Sequence, residues 1–250
     1  MRKSLKYLIV ISALFLSIPA QSQLLMGLIF GDDLNSENLE FGLSAGINFA
    51  NLTNLDGVKT KSGLQLGSYF YYKPKEIHSL HIELLAFNDH GTDNIPTYQL
   101  NDTNLDAVLT DATVARTNKY ISLNVMYRYR FIDHFYLEAG WSGGILTKAF
   151  DQITQIIEDR EISIRNDLTD DFNRIETGPI AGVSYKFLKS EGVAVNLFYY
   201  HGLTNTLKGS GIKNRSLRVG ASIPIGKKKK QRKMEEEKRQ QELLEKEGDS

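Results

Sequence analysis

The segment Phe41-Gly42-Leu43-Ser44-Ala45-Gly46-Ile47-Asn48-Phe49-Ala50 decides the fold, because apolar residues alternate in it with small or polar ones. A period of two residues indicates a β-strand with one apolar face and one small or polar face. The same alternation recurs in seven further segments of about ten residues, the length that a tilted strand needs to cross a bilayer. These segments are Gly63–Tyr72, Leu80–Phe87, Ile121–Arg130, Phe135–Ile145, Ile175–Phe187, Val193–Tyr200 and Leu217–Ile225.

The composition narrows the class of protein further. The chain has 250 residues, with 30 Lys and Arg against 30 Asp and Glu, and it contains no cysteine. Balanced charge argues against a nucleic-acid-binding protein, which needs a basic surplus. Without cysteine there are no disulfides and no thiolate metal sites. The mean hydropathy of −0.30 is too low for a bundle of membrane helices but fits strands whose two faces differ in polarity.

The connections between the eight segments alternate strictly between short and long. Outer-membrane barrels have this asymmetry, with short periplasmic turns and long extracellular loops. We therefore predict an all-β fold: an eight-stranded antiparallel up-and-down transmembrane β-barrel in the outer membrane of a Gram-negative bacterium, with both termini in the periplasm. The short connections are Lys73–Ile77, Ile132–His134 and Leu188–Gly192, and the long ones are Asn51–Lys61, Asn88–Lys119, Thr147–Arg174 and His201–Ser216.

Aromatic residues cluster at the strand ends beside the short turns. In a barrel these ends form one ring, so the pattern predicts an aromatic girdle at a membrane interface. A weaker second belt is expected near the other rim. The girdle consists of Tyr72, Tyr129, Phe131, Phe135, Tyr185 and Phe187, and the second belt of Phe49, Trp141, Tyr199 and Tyr200.

The inward faces of the predicted strands carry both acidic and basic residues. An eight-stranded barrel is only wide enough for side chains to fill, so we predict ion pairs that plug the lumen and no through-pore. If the turn at Ile132–His134 pairs Phe131 with Phe135, Arg128 lies opposite Glu138. A proton path, or acid–base catalysis by paired carboxylates, is the functional alternative. The predicted structural ion pairs involve Glu83, Arg128, Arg130, Glu138, Glu176, Lys186 and Arg218.

No group of residues indicates catalysis, a cofactor or a metal site. His201 with Thr204 and Ser210 is the nearest candidate for lipid-modifying chemistry, but no nucleophile elbow or Ser–His–acid spacing accompanies it. His78 and His81 are three apart and point to opposite faces of a strand. We predict a protein that is not an enzyme and that has no cofactor.

The N-terminus has the layout of a secretory signal peptide. Three cations precede the apolar run Tyr7–Leu16, and cleavage after Ala20 or after Ser22 fits the pattern equally well. The composition changes again after Gly226, where a highly charged stretch begins. We assign residues 1–22 to a signal peptide, 23–40 to a periplasmic lead, 41–226 to the barrel and 227–250 to a charged periplasmic tail, helical or disordered.

The tail begins with the basic block Lys227–Lys230, placed where the last predicted strand leaves the membrane. Such a block suits lipid phosphates, and the tail as a whole suits a periplasmic protein partner. A solvated charged tail without a partner explains the same sequence. Outer-membrane lipid is the other expected partner, and nucleic acid is not expected.

The opening segment Phe41–Leu52, the signal peptide and the series of hairpins resemble the porin-like outer-membrane β-barrel family of Bacteroidetes, which includes PorT-type proteins. The resemblance spans Phe41 to Gly226, and its motif is a G-x-x-x-G-x-N opening followed by alternation. It implies an outer-membrane barrel with a structural or interaction role through long extracellular loops. The PorT branch implies an accessory role in protein secretion as the alternative. A lipid-modifying outer-membrane enzyme is the least expected function.

Overall fold

The computed structural model consists of one antiparallel sheet of nine strands. No helix among the described residues is long and apolar enough to cross a membrane. The description covers residues 38–75, 77–100, 105, 109, 112–157, 160–187 and 192–225, so the predicted signal peptide, most of the predicted lead and the tail lie outside it. The strands are β1 (Leu39–Leu52), β2 (Lys59–Tyr72), β3 (His78–Ile95), β4 (Thr113–Ile132), β5 (Phe135–Ile157), β6 (Arg160–Asp167), β7 (Ile175–Lys186), β8 (Ala194–His201) and β9 (Asn214–Pro224).

Strand pairing follows the order β4-β3-β2-β1-β9-β8-β7-β5-β6, and β4 also pairs with β5. Strands β1 to β5 and β7 to β9 therefore have a partner on both sides, whereas β6 pairs with β5 alone. β5 is long enough to pair with β7 along Phe135–Ile145 and with β6 along Phe150–Ile157. The part of the sheet made by β3 to β6 thus extends well past the part made by the shorter strands.

Each of the eight predicted segments overlaps one strand, and the sheet contains one further strand, β6, that the alternation does not predict. β3 continues to Ile95, β4 begins at Thr113 and β5 continues to Ile157. Much of the predicted loops Asn88–Lys119 and Thr147–Arg174 is therefore strand, and the second of them contains β6. In these extensions both faces carry polar residues. The backbone pairing therefore continues although the apolar alternation that predicts a strand has ended.

The two faces of the sheet differ in the opposite sense to those of a water-soluble sheet. The exposed face is apolar, whereas the buried face is rich in hydroxyl, amide and charged side chains. The predicted assignment of residues to the two faces is confirmed along most of each strand. Ile47, Leu64, Val125, Leu197 and Val219 are among the exposed side chains, and Ser44, Gln65, Asn124, Asn196 and Ser222 are among the buried ones.

Phe87 is an exception to the predicted faces, because regular alternation from His81 and Glu83 places it inward. β3 is irregular between Leu85 and Asn88, where its pairing with β4 shifts register. Phe87 consequently faces outward and is 37% exposed instead of pointing inward. A β-bulge adds one residue and reverses the alternation beyond it, which a pattern of alternating residues does not reveal in advance.

Glycines allow neighbouring backbones to approach closely at several points in the sheet. A Cβ atom on Gly140 would lie 2.0 Å from the carbonyl oxygen of Val125, and one on Gly67 would lie 2.1 Å from that of Leu84. A Cβ atom on Gly143 of the same strand as Gly140 would meet nothing within 4 Å. Close approach of a neighbouring backbone is one of the established reasons for glycine inside a strand.

A separate apolar core lies beyond the predicted membrane-spanning segments. It is formed by residues of β4, β5 and the β3–β4 connection, and further apolar side chains pack around it. We call this extension of β3 to β6, with its core, the cap. The buried core residues are Leu109, Ala112, Val114 and Ile153, and those packed against them are Ile95, Tyr98, Leu100, Leu105 and Ile164.

Candidate functional site: a polar network on the buried face

Six of the seven residues predicted to form ion pairs are buried, and the seventh is half-buried. Arg130 is the half-buried one and lies at the end of β4 beside a short turn. The other six are Glu83, Arg128, Glu138, Glu176, Lys186 and Arg218. They belong to groups of contacts along the buried face, each centred on one carboxylate.

Glu138 of β5 is the centre of the first group. Arg128 lies opposite it in the β4–β5 register, as predicted, and donates from Nε to Oε1 at 3.0 Å. Nδ1 of His81 lies 2.5 Å from Oε2, and Ser184 also donates to Oε1. Because a carboxylate only accepts hydrogen bonds, this contact assigns a proton to Nδ1 of His81. At the turn itself Ile132 rather than Phe131 pairs with Phe135, because the register shifts between Arg130 and Ile132.

Glu83 of β3 is surrounded by three hydrogen-bond donors. Ser44 and Asn124 each donate to it at 2.9 Å. Arg218 of β9 donates from Nη2 at 2.8 Å, although β1 and β2 separate β9 from β3 in the sheet. Nε2 of His81 lies 3.6 Å from Oε1 of Glu83. His81 therefore connects the Glu83 and Glu138 groups.

Glu40 is a member of the network that the sequence analysis missed. Lys186 donates to both of its carboxylate oxygens, at 2.8 and 2.7 Å. Tyr69 donates to it at 3.1 Å, and Lys73 forms a further ion pair with it. The sequence pattern places residues 23–40 in a lead outside the barrel, but Leu39 and Glu40 belong to β1. Extending the alternation of Gly42 and Ser44 by one step would have placed Glu40 inward.

Glu176 forms no ion pair with the predicted cationic partners in the described part of the chain. It accepts a hydrogen bond from Asn214, and Nδ1 of His90 lies 4.0 Å from its Oε1. Asn214 also donates to the hydroxyl of Tyr120 at 3.3 Å. The side chains that reach Glu176 are thus an amide from β9 and an imidazole from β3.

Aromatic rings complete the filling of the buried face. The Arg128 guanidinium carbon lies 4.2 Å from the centre of the Tyr71 ring and 3.4 Å from that of Tyr136. Stacking of this kind is favourable for arginine and excludes water from it. The cavity next to the Glu83 group measures only about 20 Å³, which is room for about one water molecule. Polar and aromatic side chains therefore pack closely around this cavity on the described part of the buried face.

His201, Thr204 and Ser210, the candidates for lipid-modifying chemistry, form no hydrogen bonds with one another. His201 lies 3.3 Å from the hydroxyl of Tyr199, Thr204 accepts from the backbone of Thr177, and Ser210 donates to the Leu207 carbonyl. Each member thus has a local structural contact. No group of three or more metal-ligating side chains occurs within the described part of the chain.

Four of the six aromatic residues predicted beside the short turns form a row on the exposed face. Ring centres are 6.3 Å apart for Phe131 and Phe135, 4.8 Å for Phe135 and Tyr185, and 5.2 Å for Tyr185 and Phe187. In the predicted second belt, Phe49, Trp141 and Tyr199 are exposed, but Tyr200 is buried on the other face. Its assignment to that belt is wrong, because it is adjacent in sequence to the outward-facing Tyr199.

A second polar group holds the cap together. Arg116 donates from Nε and Nη2 to the two carboxylate oxygens of Asp151, at 2.8 and 2.7 Å. The hydroxyl of Tyr98 donates to Asp151 at 2.9 Å and accepts from Asn166 at 3.0 Å. Burial raises the pKa of Tyr98 to about 12, so its hydroxyl keeps its proton and remains a donor at neutral pH.

A sheet with an apolar exposed face, a polar buried face and aromatic rows is the pattern of outer-membrane β-barrel proteins. Residues 20–208 match the family model described as outer membrane protein beta-barrel domain. The chain belongs to this family. The match is to the general domain and does not distinguish a PorT-type branch. No curated protein matches the sequence.

Several solved structures of bacterial outer-membrane proteins are similar to this chain. The attachment invasion locus protein Ail of Yersinia pestis, solved with the heparin analogue sucrose octasulfate, is 13% identical with a TM-score of 0.42, covering 75% of this chain and 99% of Ail. Neisserial surface protein A is 10% identical with a TM-score of 0.39, covering 75% and 97% of the two chains. OprG of Pseudomonas aeruginosa is 14% identical with a TM-score of 0.30, covering 74% and 91%.

Proposed function

We propose that this chain is a closed eight-stranded transmembrane barrel of the Gram-negative outer membrane, plugged by side chains and without enzymatic activity, which acts through its extracellular cap. The observation that carries the proposal is the buried network around Glu83 and Glu138. Charged groups of this kind are tolerated in a lipid-embedded protein when they face its interior and pair with one another. Two-sided pairing of β1 to β5 and β7 to β9 supports the closed ring.

The proposed orientation rests on the two ends of the strands. The aromatic row from Phe131 to Phe187 lies beside the short turns, which are periplasmic in barrels of this class. An even number of membrane-crossing strands then leaves both termini in the periplasm. The cap lies at the opposite end and faces the outside of the cell, with its own apolar core and the Arg116–Asp151 ion pair. A preformed cap of this kind suits an interaction role better than a set of mobile loops.

The decisive experiment combines heat-modifiable gel migration with conductance of the same preparation in planar bilayers. We expect the folded protein to migrate differently before and after boiling and to produce no conductance steps, because the packed interior leaves no aqueous path. A large porin reconstituted in parallel serves as the positive control. Channel openings that appear with the folded protein, and not with a boiled sample, would contradict the plugged lumen.

An accessory role in secretion, with a periplasmic partner for residues 227–250, stays a prediction from the sequence. Deleting the tail while keeping the barrel separates this role from the barrel itself. The prediction requires that the deletion abolishes capture of periplasmic partners and reduces secretion, with heat-modifiable migration unchanged. For the lipid-modifying alternative, lipid A mass spectra of a deletion strain and a His201→Ala strain would have to change together.

A further inference from the structure

Strand β6 has one edge without a partner in the described part of the chain. Its pairing with β5 runs without a break from Arg160 to Asp167, and no backbone hydrogen bond reaches its other edge from the described residues. Its first four residues are exposed. An edge of this kind is a template for a further strand, and β6 contains no proline and no bulge that would prevent the addition.

The side chains of β6 are complementary to those of a second, antiparallel β6. Two identical strands related by a two-fold axis pair around one central residue, because opposite residues must lie on the same face of the sheet. If the axis passes through Ser163, Glu161 lies opposite Arg165 of the second copy, and the reverse pair forms as well. Ile162 then lies opposite Ile164, so both faces gain a matched pair.

The neighbouring registers are less favourable. With Ile164 at the centre, Glu161 lies opposite Asp167 of the second copy, which sets two pairs of like charges against each other. With Ile162 at the centre, Glu161 lies opposite Ser163 and forms no ion pair. Neither Glu161 nor Arg165 has an ion-pair partner within the described chain. Arg165 stacks on Phe150, with its guanidinium carbon 4.4 Å from the ring centre.

We propose that β6 is a docking strand for a second copy of this chain in a facing membrane, through antiparallel β6–β6 pairing centred on Ser163. This inference rests on the proposed function, because it requires that the cap faces the outside of the cell. The two-fold axis of an antiparallel strand pair is perpendicular to the sheet. Because β5 is a single strand from Phe135 to Ile157, the sheet at β6 stands away from the membrane, and the axis lies along the membrane plane.

This direction of the axis decides between the two possible kinds of dimer. Two copies in one membrane share an orientation, so a two-fold axis between them must run along the membrane normal, which an upright sheet does not allow. Two copies in facing membranes are related by an axis parallel to both membranes. The pairing therefore connects two membranes and predicts homotypic adhesion between surfaces that carry this protein.

The test uses nanodiscs that hold one copy of the full-length mature chain each, so that any association between discs joins two membranes. Two fluorescent labels report association by energy transfer. Wild-type discs should pair, and the Glu161→Arg and Arg165→Glu variants should each pair about tenfold more weakly, because both cross-strand pairs become like-charged. Mixing the two variants should restore pairing to the wild-type level, since both arginines of the first variant then oppose both glutamates of the second.

The mixed sample makes the result independent of folding defects in a single variant, and heat-modifiable migration of each preparation checks the barrel separately. The double variant Glu161→Arg with Arg165→Glu should also pair like the wild type. Pairing should weaken as salt is raised. Wild-type discs that remain single, or variants that pair with themselves as well as with each other, would overturn the proposal while leaving the proposed barrel intact.

Discussion

Arg128 and Glu138 lie opposite each other on adjacent strands and form a buried ion pair with a 3.0 Å contact. The guanidinium also lies between the rings of Tyr71 and Tyr136, so it has no access to water. Removing one partner of a buried pair costs more than the pair contributes, because the remaining charge is left unpaired. The relationship therefore makes Glu138 a sensitive point for the stability of the whole sheet.

Glu138→Gln should lower the free energy of unfolding by about 3 kcal/mol. The amide keeps the shape of the side chain but removes the negative charge that faces Arg128 and His81. Urea titration in detergent micelles, followed by tryptophan fluorescence, measures the change. Glu161→Gln makes the same substitution at an exposed position and should leave the stability unchanged. Equal midpoints for wild type and Glu138→Gln would remove Glu138 from the structural plug.

Glu40→Gln should destabilise the protein by a similar amount, about 3 kcal/mol, although residue 40 lies at the very start of β1. The substitution removes the negative charge that both the buried Lys186 and Lys73 contact. Asp170→Asn provides the contrast, because its partner Arg174 is exposed and surface pairs contribute little. If Glu40→Gln, like Asp170→Asn, unfolds at the same urea concentration as the wild type, the Glu40 cluster does not stabilise the fold.

The sequence was sufficient to predict which residues of the spanning strands face inward. Alternation has a fixed period, so it places Glu83, Arg128 and Arg218 on the buried face without any knowledge of strand pairing. It was not sufficient to predict which of them meet. Contacts such as Arg218 with Glu83 join strands that are not neighbours, and they depend on the stagger and curvature of the sheet, which no local pattern encodes.

The missed features have two physical causes. The sequence pattern does not reveal Glu40, because apolar alternation marks only the part of a strand with apolar surroundings. The end of β1 continues past that part. The pattern does not reveal β6 for the same reason. Ile162 and Ile164 are flanked by charged residues, and a sequence of that composition is typical of a loop. The predicted positions of Phe87 and Tyr200 are wrong for other reasons. A bulge turns Phe87 outward, and Tyr200 cannot share the outward face with its neighbour Tyr199.

Trp141 is the only tryptophan in the chain and is 51% exposed on the apolar face. In lipid vesicles its fluorescence should be blue-shifted, strongly quenched by brominated lipid and little quenched by acrylamide in water, because the exposed face contacts acyl chains in the proposed barrel. A variant with Trp141→Phe and Tyr200→Trp moves the reporter to the buried face and should lose the quenching by lipid. Acrylamide quenching of Trp141 as strong as that of free tryptophan would contradict a lipid-facing position.

Gly140→Ala should impair folding, and Gly143→Ala should not. A Cβ atom at Gly140 would collide with the Val125 carbonyl, a backbone atom held by the ladder, whereas a Cβ atom at Gly143 meets nothing within 4 Å. The expected cost at Gly140 is about 2 kcal/mol or more. The fraction of heat-modifiable protein after refolding into detergent measures the effect for two variants of the same strand. Equal yields would mean that the sheet relaxes enough to accept the methyl group.

Asp151→Asn should loosen the cap without unfolding the rest of the sheet. Asp151 is fully buried and accepts hydrogen bonds from Arg116 and Tyr98, so the amide leaves the arginine uncompensated at a local cost of about 3 kcal/mol. Because the cap has an apolar core of its own, amide exchange should accelerate there while segments such as Ile121–Arg130 stay protected and heat-modifiable migration persists. Asp167→Asn, at an exposed position 3.7 Å from Lys148, is the control and should leave exchange unchanged. Loss of protection throughout the sheet would show instead that the cap and the spanning strands unfold as one unit.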